Sequence, residues 1–221
     1  MGFNKMSWLR KISMPLPFQV PENVWSRNGI DRIDLRMEPD AIRQVQKEYP
    51  NIDYLGSGSL GVVGQEGDRA IKLTDDGPEA KMAMSFIGQD VPCIVKIFSV
   101  KQVQVEKEQQ PSRSHIWAIE MEKVKTNLSN YQKLIANGLN SLSHSTFDED
   151  RNYFRNLYIK RYPEETRFID EYLRMRFCLI QHNIFTYETH GNNIGYNSNG
   201  DLVLFDLGQS KRLNKEGEEY E

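Results

Sequence analysis

The chain has 221 residues, about one and a half times a typical domain length, which predicts one two-part domain or a domain with a tail. Apolar residues make up 38% and aromatic residues 10%, which is enough for a buried core and excludes wholesale disorder. The net charge of −3 gives no broad attraction to nucleic acid or anionic membranes, and no apolar run approaches the roughly 20 residues of a membrane span. We therefore expect a soluble, cytoplasmic protein that binds neither nucleic acid nor a membrane.

The first 50 residues predict an N-terminal arm that ends in a short helix. Three prolines interrupt residues 1–37, which show no sustained hydrophobic period, so the arm is irregular. Residues 39–48 carry apolar positions behind an acidic first turn, and Pro50 ends this helix.

Residues 51–124 predict a β-rich unit with one helix. Strand-like runs cover 51–63 and 69–74 around a glycine-containing turn, and two more strands cover 94–105 and 116–121. The segment 78–87 has helical spacing.

Residues 125–221 predict a helical unit with an acidic tail. Thr126 is a candidate helix cap, Thr146 and Glu149 have capping-box spacing, and Pro163 opens a long helix. Short strands follow at 184–187 and 202–205, the second after an Asn-Ser-Asn-Gly turn.

The two cysteines give no sign of chemistry. Cys93 and Cys178 lie 85 positions apart with no Cys-x-x-Cys pair and no nearby histidine pair. In a cytoplasmic protein we expect both to be reduced and buried.

The first candidate functional motif is a glycine-rich turn followed by a strand lysine. Gly56, Gly58 and Gly61 form Gly-x-Gly-x-x-Gly between two strands, a context that disfavours dinucleotide binding. Glycines let backbone N–H groups approach phosphate oxygens closely. Lys72 follows sixteen residues after Gly56 on the next strand, in an Ala-Ile-Lys run typical of lysines that hold nucleotide phosphates. Alternatives are an ordinary hairpin and a solvated lysine.

The second motif lies near the end of the chain and contains Glu188, Asn193 and Asp206. The last two lie thirteen residues apart, across a predicted hairpin, so that their oxygens can converge on one Mg²⁺. A carboxylate five residues before the asparagine can face an incoming hydroxyl. This pattern indicates phosphoryl transfer.

With both motifs in this order, residues 55–210 resemble the protein-kinase-like superfamily, especially minimal kinases of bacterial effectors and phages. The resemblance implies an α+β, two-lobed fold: a β-rich N-lobe at 51–124, a reduced helical C-lobe at 125–221, and ATP between them. It implies a lysine–glutamate pair between Lys72 and Glu79, metal ligands at Asn193 and Asp206 for Mg²⁺ or Mn²⁺, and a catalytic base at Glu188. The remaining cofactor-binding positions that it implies are Gly56, Ser57, Gly58, Ser59, Leu60, Gly61, Val63, Ala70, Met121, Glu122 and Val124.

The chain also departs from the family pattern. Glu188 stands where the family carries Asp, His190 stands two residues later where many members carry Lys, and Asp206-Leu-Gly replaces Asp-Phe-Gly. Only thirteen residues follow Gly208, so we expect no activation segment and no later C-lobe helices.

We therefore expect a Ser/Thr-type protein kinase that uses ATP, in the host cytoplasm if a phage or effector gene encodes it. A protein substrate is expected, and a partner protein that completes the C-lobe is an additional candidate partner. The alternatives are a catalytically silent ATP-binding module that binds partners and, less favoured, a small-molecule kinase. His190 is a second candidate catalytic residue or a hydrogen-bonded loop histidine.

Overall fold

The chain has a mixed α+β fold with antiparallel strands and four α-helices in a computed structural model, which describes residues 47, 49–57, 61–103, 116–141, 144–186, 188–208 and 210–212. The predicted arm, most of the predicted short helix, the tip of the glycine-rich turn and the acidic tail lie outside these residues.

Five antiparallel strands and one helix form what we call the sheet region. The strands are β1 (Asp53–Ser57), β2 (Gly61–Glu66), β3 (Arg69–Thr74), β4 (Ile97–Val103) and β5 (Ile116–Glu122), in the order β1-β2-β3-β5-β4. The helix α1 (Gly77–Met84) follows β3 directly. Within the described part of residues 51–124, the predicted strands and the one predicted helix are present.

Strand alternation assigns the side chains of the sheet to two faces. Lys72 of β3 lies opposite Val63 of β2 and Ile119 of β5, so these three side chains share one face. Ala70 and Met121 pair on that same face, and both are buried. The face packs into the main hydrophobic core, whereas Ile71 and Leu73 on the other face form a second cluster.

Three further α-helices and four short strands form what we call the helical region. They are α2 (Asn130–Asn140), α3 (His144–Arg161), a 3₁₀ turn (Pro163–Glu165), α4 (Thr166–Gln181), β6 (Ile184–Thr186), β7 (Ile194–Tyr196), β8 (Leu202–Leu204) and β9 (Ser210–Arg212). β6 pairs with β9 and β7 with β8, both antiparallel. Gly200, with φ of 82°, takes the left-handed conformation in the β7–β8 turn.

Two predicted helix caps are wrong. α2 begins after Ser129, whose hydroxyl accepts a hydrogen bond from the N–H of Gln132 while the Gln132 side chain binds back, so the cap is Ser129 and not Thr126. α3 begins at His144, which places Thr146 inside its first turn. In α2 a nearby residue of capping type competed for the role.

The main core is continuous between the two regions. Ile119 and Met121 of the sheet belong to the same buried cluster as Leu139, Tyr172 and Val203 of the helical region. The segment just before β4 also pairs with β8, since the N–H of Val95 donates to the carbonyl of Leu204 over 2.9 Å.

The expectation of reduced cysteines is wrong, because Cys93 and Cys178 form a disulfide with a Cα–Cα distance of 5.9 Å. The bond joins the segment before β4 to α4, two elements that sequence separation alone does not place together. Structural disulfides are most common in oxidising compartments. The disulfide therefore does not support the expected cytoplasmic location, which stays a prediction. Within the described residues, no helix combines the length and apolar character that a membrane crossing requires.

Candidate active site

Lys72 lies between two carboxylates at the junction of the sheet and helical regions. Its ammonium forms an ion pair with Glu79 and a second one with Asp206, whose Oδ1 is 3.0 Å from Nζ. The Lys72 side chain is 9% exposed and that of Glu79 1%, so water screens this pair weakly. The expected pairing of Lys72 with Glu79 is confirmed. We call these three residues the ion triad.

Glu79 reaches Lys72 because only two residues separate the end of β3 from the start of α1. Asp76 caps the helix by accepting a hydrogen bond from the N–H of Glu79 over 3.2 Å, and Pro78 fixes the first turn. Thr74 in turn accepts a hydrogen bond from the N–H of Asp76 over 3.1 Å. Glu79 therefore lies in the first turn, directly beside the strand that carries Lys72.

Asp206 is placed by the strand that precedes it. β8 is held between β7 and the segment that leads into β4, where the N–H of Leu204 donates to the carbonyl of Cys93 over 2.9 Å. The N–H of Gly208 then donates to Asp206 Oδ1 over 3.1 Å and fixes the carboxylate. A third of this side chain, 31%, remains exposed.

The electrostatics of the ion triad are dominated by the lysine. Burial alone would lower the pKa of Lys72, but the charges of Glu79 and Asp206 outweigh it and raise that pKa. Burial works against ionisation of Asp206 as well, yet the Lys72 charge and the Gly208 N–H hold the pKa of Asp206 below its ordinary value. The pKa of Glu79 is raised because burial outweighs its attraction to Lys72. Lys72 is therefore a cation throughout the physiological pH range.

A second cluster lies on the loop before β7, and we call it the loop cluster. Glu188 Oε2 accepts a hydrogen bond from Asn193 Nδ2 over 2.8 Å and lies 3.0 Å from His190 Nε2. The Glu188 N–H donates to Thr186 Oγ1 over 3.0 Å, which anchors the residue to the end of β6. Three predicted catalytic residues are therefore in mutual contact.

The loop cluster rests on buried polar residues that the sequence did not single out. Thr189 is fully buried, where its hydroxyl donates to Asn140 Oδ1 over 2.6 Å and accepts from Arg176 Nη1 over 3.1 Å. The Tyr172 hydroxyl donates to the Thr189 carbonyl over 3.0 Å. Tyr172 and Arg176 are four residues apart on α4 and so share one face, a spacing that gives a weak signal in an otherwise apolar stripe.

Gly191 shows why this loop carries a glycine. Its N–H donates to Asn137 Oδ1 of α2 over 3.0 Å. A Cβ at this position would lie 2.7 Å from the Lys133 Cα, too close for any non-glycine residue without a backbone shift. α2 and the loop are therefore in close contact.

Asn193 and Asp206 lie at the same end of the β7–β8 hairpin. Ile194 pairs with Leu204, and the N–H of Phe205 donates to the Asn193 carbonyl over 3.0 Å, which puts the predicted metal ligands on adjoining strands. Because Asn193 Nδ2 binds Glu188, its Oδ1 faces away from that carboxylate. One amide oxygen and one partly exposed carboxylate are ligand types that Mg²⁺ accepts. The described residues contain no cluster of three or more His, Cys, Asp or Glu side chains that could hold a metal.

The other predicted cofactor residues separate into four groups. Gly58, Ser59 and Leu60 lie outside the described residues, while Gly56 and Ser57 lie on β1 and Gly61 starts β2. A Cβ at Gly61 would collide with the Leu73 carbonyl, so this glycine has a structural reason of its own. Val63, Ala70 and Met121 lie on the Lys72 face of the sheet.

Glu122 and Val124, by contrast, line a cavity of about 890 Å³ that Lys72, Glu188 and Asp206 do not line. Glu122 pairs with Arg69, so alternation turns its side chain to the face opposite Lys72. Its carboxylate accepts a hydrogen bond from the Ser198 N–H over 2.9 Å. Any contact of Glu122 with a ligand near Lys72 would therefore involve its backbone.

No family model and no curated protein matches this chain.

Proposed function

We propose that this protein is an ATP-dependent phosphotransferase with a two-lobed, protein-kinase-like architecture, in which the sheet and helical regions are the two lobes. The observation that carries the proposal is the ion triad: a buried lysine, a helix glutamate seven residues later, and an aspartate that comes from far along the chain. The loop cluster, with Glu188 and Asn193, adjoins the triad through the β7–β8 hairpin.

Lys72 is the group that would hold phosphate oxygens. It is cationic and lies on the sheet face that packs towards the helical region, where two carboxylates hold its ammonium in place. Two ionised carboxylates against one ammonium leave a local excess of negative charge. That excess favours a divalent cation at Asp206 and Asn193, which would compensate phosphate charge when bound.

Glu188 is suited to orient the acceptor hydroxyl. Its Oε2 is occupied by Asn193 and His190, while Oε1 accepts no hydrogen bond from any described residue. In the transfer, the hydroxyl oxygen forms a bond to the γ-phosphorus and the bond from that phosphorus to the bridging oxygen breaks, releasing ADP. The hydroxyl proton passes to Glu188 Oε1. Little basicity is required, because phosphoryl transfer depends chiefly on positioning.

A protein hydroxyl is the acceptor that we favour. His190 is 34% exposed and its neighbour Asn192 is exposed, so the loop beside Glu188 is open to a large molecule approaching from outside. A protein side chain can enter such an open site, whereas a small molecule is usually held in an enclosed pocket.

The decisive experiment is phosphate transfer from γ-labelled ATP with Mg²⁺ or Mn²⁺, to the protein itself and to lysate proteins. We expect Glu188→Gln to lower turnover at least about tenfold with nucleotide binding near wild type, since the change removes the charge but keeps the shape. Glu188→Asp should retain part of the activity, and His190→Gln should affect it less than Glu188→Gln. Activity that is indifferent to Glu188→Gln would exclude this residue as the base.

The same variants distinguish the silent ATP-binding module, which the Glu at position 188 keeps open as a second candidate. ATP and Mg²⁺ at a hundred times the dissociation constant would stabilise a silent module by about 2.7 kcal/mol and so raise its melting temperature. The module would nevertheless transfer no phosphate. Gain of transfer in Glu188→Asp would identify the glutamate as a disabling substitution. A melting temperature that does not respond to ATP with either cation would contradict both functions.

A further inference from the structure

A groove between α3 and α4 collects three arginines around a single carboxylate. Arg155 binds Asp170 through two hydrogen bonds, Nε to Oδ1 over 2.6 Å and Nη2 to Oδ2 over 3.0 Å. Arg151 and Arg174 line the same cavity, which has a volume of about 490 Å³. We call this cavity the arginine groove, and it is separate from the ion triad and the loop cluster.

The arginines are not matched by acids. Three guanidinium groups and one carboxylate leave a charge of about +2 among the described side chains that line the groove. Hydrogen bonds from Arg155 hold the pKa of Asp170 below its ordinary value, and the charges of Arg155, Arg174 and Arg151 add to this effect. Asp170 thus lies within the field of all three cations. The whole chain has a net charge of −3, so the groove is a local exception to the overall charge.

Arg151 and Arg174 have no carboxylate partner among the residues whose side chains the structure describes, a set that leaves out 144–150. The Arg151 guanidinium lies over the Phe177 ring, 4.9 Å from its centroid, and makes a cation–π contact with it. Arg174 is exposed on α4, one turn from Asp170. Arg155 is already paired, so the free binding capacity lies on the two sides of the Arg155–Asp170 pair.

We propose that the arginine groove binds an acidic peptide segment of a partner protein. An occupant that carries carboxylates at intervals can place one on Arg151 and another on Arg174. The part of the occupant between those two carboxylates is uncharged and lies beside the Asp170 carboxylate. Guanidinium groups bind carboxylates through two parallel hydrogen bonds, which gives direction as well as attraction. The proposal does not depend on phosphate transfer by the protein.

The test is fluorescence anisotropy with a labelled ten-residue peptide of alternating Glu and Gly, beside a peptide of alternating Gln and Gly. We expect the intact protein to bind the Glu peptide at low salt, to bind it more weakly as salt is raised, and not to bind the Gln peptide. Arg151→Gln combined with Arg174→Gln should weaken binding at least tenfold. Circular dichroism would verify that this variant is folded, and Arg174→Glu alone should also weaken binding.

A matched control removes the same charge elsewhere. Lys81→Gln combined with Lys160→Gln changes two exposed lysines outside the groove and should leave the affinity within about twofold of wild type. Equal losses in the two double variants would show a nonspecific charge effect and overturn the proposal, as would the absence of binding at low salt. Displacement of the peptide by inorganic phosphate that binds more tightly, and through the same arginines, would overturn it in favour of a single-anion site.

Discussion

The ion triad and the loop cluster are built in opposite ways. The triad joins Lys72, Glu79 and Asp206 from three separate elements, and it is charged and mostly buried. The loop cluster joins residues 188, 190 and 193 within one turn of chain, and its hydrogen bonds connect one carboxylate to neutral or weakly basic groups. Loss of one hydrogen bond of the loop cluster costs less than loss of the charge partner in the buried Lys72–Glu79 pair.

Because of this difference, we expect the ion triad to contribute mainly to folding stability and the loop cluster mainly to the reaction. Removal of the Lys72 charge leaves an uncompensated Glu79 carboxylate in the core, so Lys72 contributes to folding whether or not a ligand binds. The loop cluster rests on the buried Thr189 and Arg176, so its partly exposed members Glu188 and His190 are available to serve a reaction. We therefore expect triad variants to act on stability first and loop variants on activity first.

The largest expected effect is that of Lys72→Met. This change leaves Glu79 buried without its cation, and the free energy of unfolding should fall by about 3–5 kcal/mol in urea denaturation. Glu188→Gln should cost less than about 1 kcal/mol, because the glutamine oxygen can still accept from Asn193. Adding Glu79→Gln to Lys72→Met should recover part of the loss. A Lys72→Met protein as stable as Glu188→Gln would remove the distinction between the two clusters.

The next largest effect is that of the disulfide, which ties the segment beside β8 to α4. Replacing Cys93 and Cys178 by serine should lower the unfolding free energy by about 2–4 kcal/mol, since the bond closes a loop of 85 residues in the unfolded chain. A thiol reductant should destabilise wild type by a similar amount and leave the double variant unchanged. A reductant that has no effect on wild type would show that the bond does not form in solution.

Sequence patterns predicted the elements of the fold well and their tertiary partners less well. Strand alternation and the short link between β3 and α1 are local, so the sequence was sufficient to expect Glu79 beside Lys72. The disulfide depends on how the segment before β4 docks on α4, a contact between residues 85 positions apart that no local pattern encodes. The expectation of reduced thiols failed for this reason.

The same distinction applies to the candidate site. Asn193 and Asp206 were predicted from their spacing, and the hairpin places them on adjoining strands. Thr189, Arg176 and Asn137 were missed, because each looks like an ordinary helix or loop residue until the loop is packed on α2 and α4. Glu122 was implied as a cofactor-binding position by the family resemblance, whereas strand alternation turns its side chain to the other face of the sheet.

An intermediate effect tests the packing beneath the loop cluster. Gly191→Ala introduces a Cβ against the Lys133 backbone and should destabilise the protein by about 1–3 kcal/mol, with lower phosphate transfer because Glu188 and His190 flank this residue. Gly77→Ala is the control, since nothing lies within 4 Å of its Cβ position and it should be neutral or slightly stabilising. Equal stability of the two variants would show that the loop adjusts freely to an added methyl group.

The smallest effect is the contribution of Asp206 to stability at acid pH. Because the pKa of Asp206 is lowered in the folded protein, the unfolded chain takes up this proton first as the pH falls. The stabilisation is therefore complete above the ordinary aspartate pKa of about 4 and declines below it, with a slope of at most about 1.4 kcal/mol per pH unit. It is fully lost once the pH is below the pKa of the folded state.

Glu79 acts in the opposite direction and in a different pH range. Its pKa is raised, so its ionisation opposes folding as the pH rises above the ordinary glutamate value. The contribution of Asp206 is therefore measured below about pH 4, from urea unfolding of wild type and Asp206→Asn at a series of pH values. The pKa of Asp170 is also lowered, but Asp170 is present in both proteins. Its contribution therefore cancels from the difference between their unfolding free energies. The wild-type curve should fall more steeply than that of Asp206→Asn, and two parallel curves would mean that Lys72 does not hold the Asp206 carboxylate in solution.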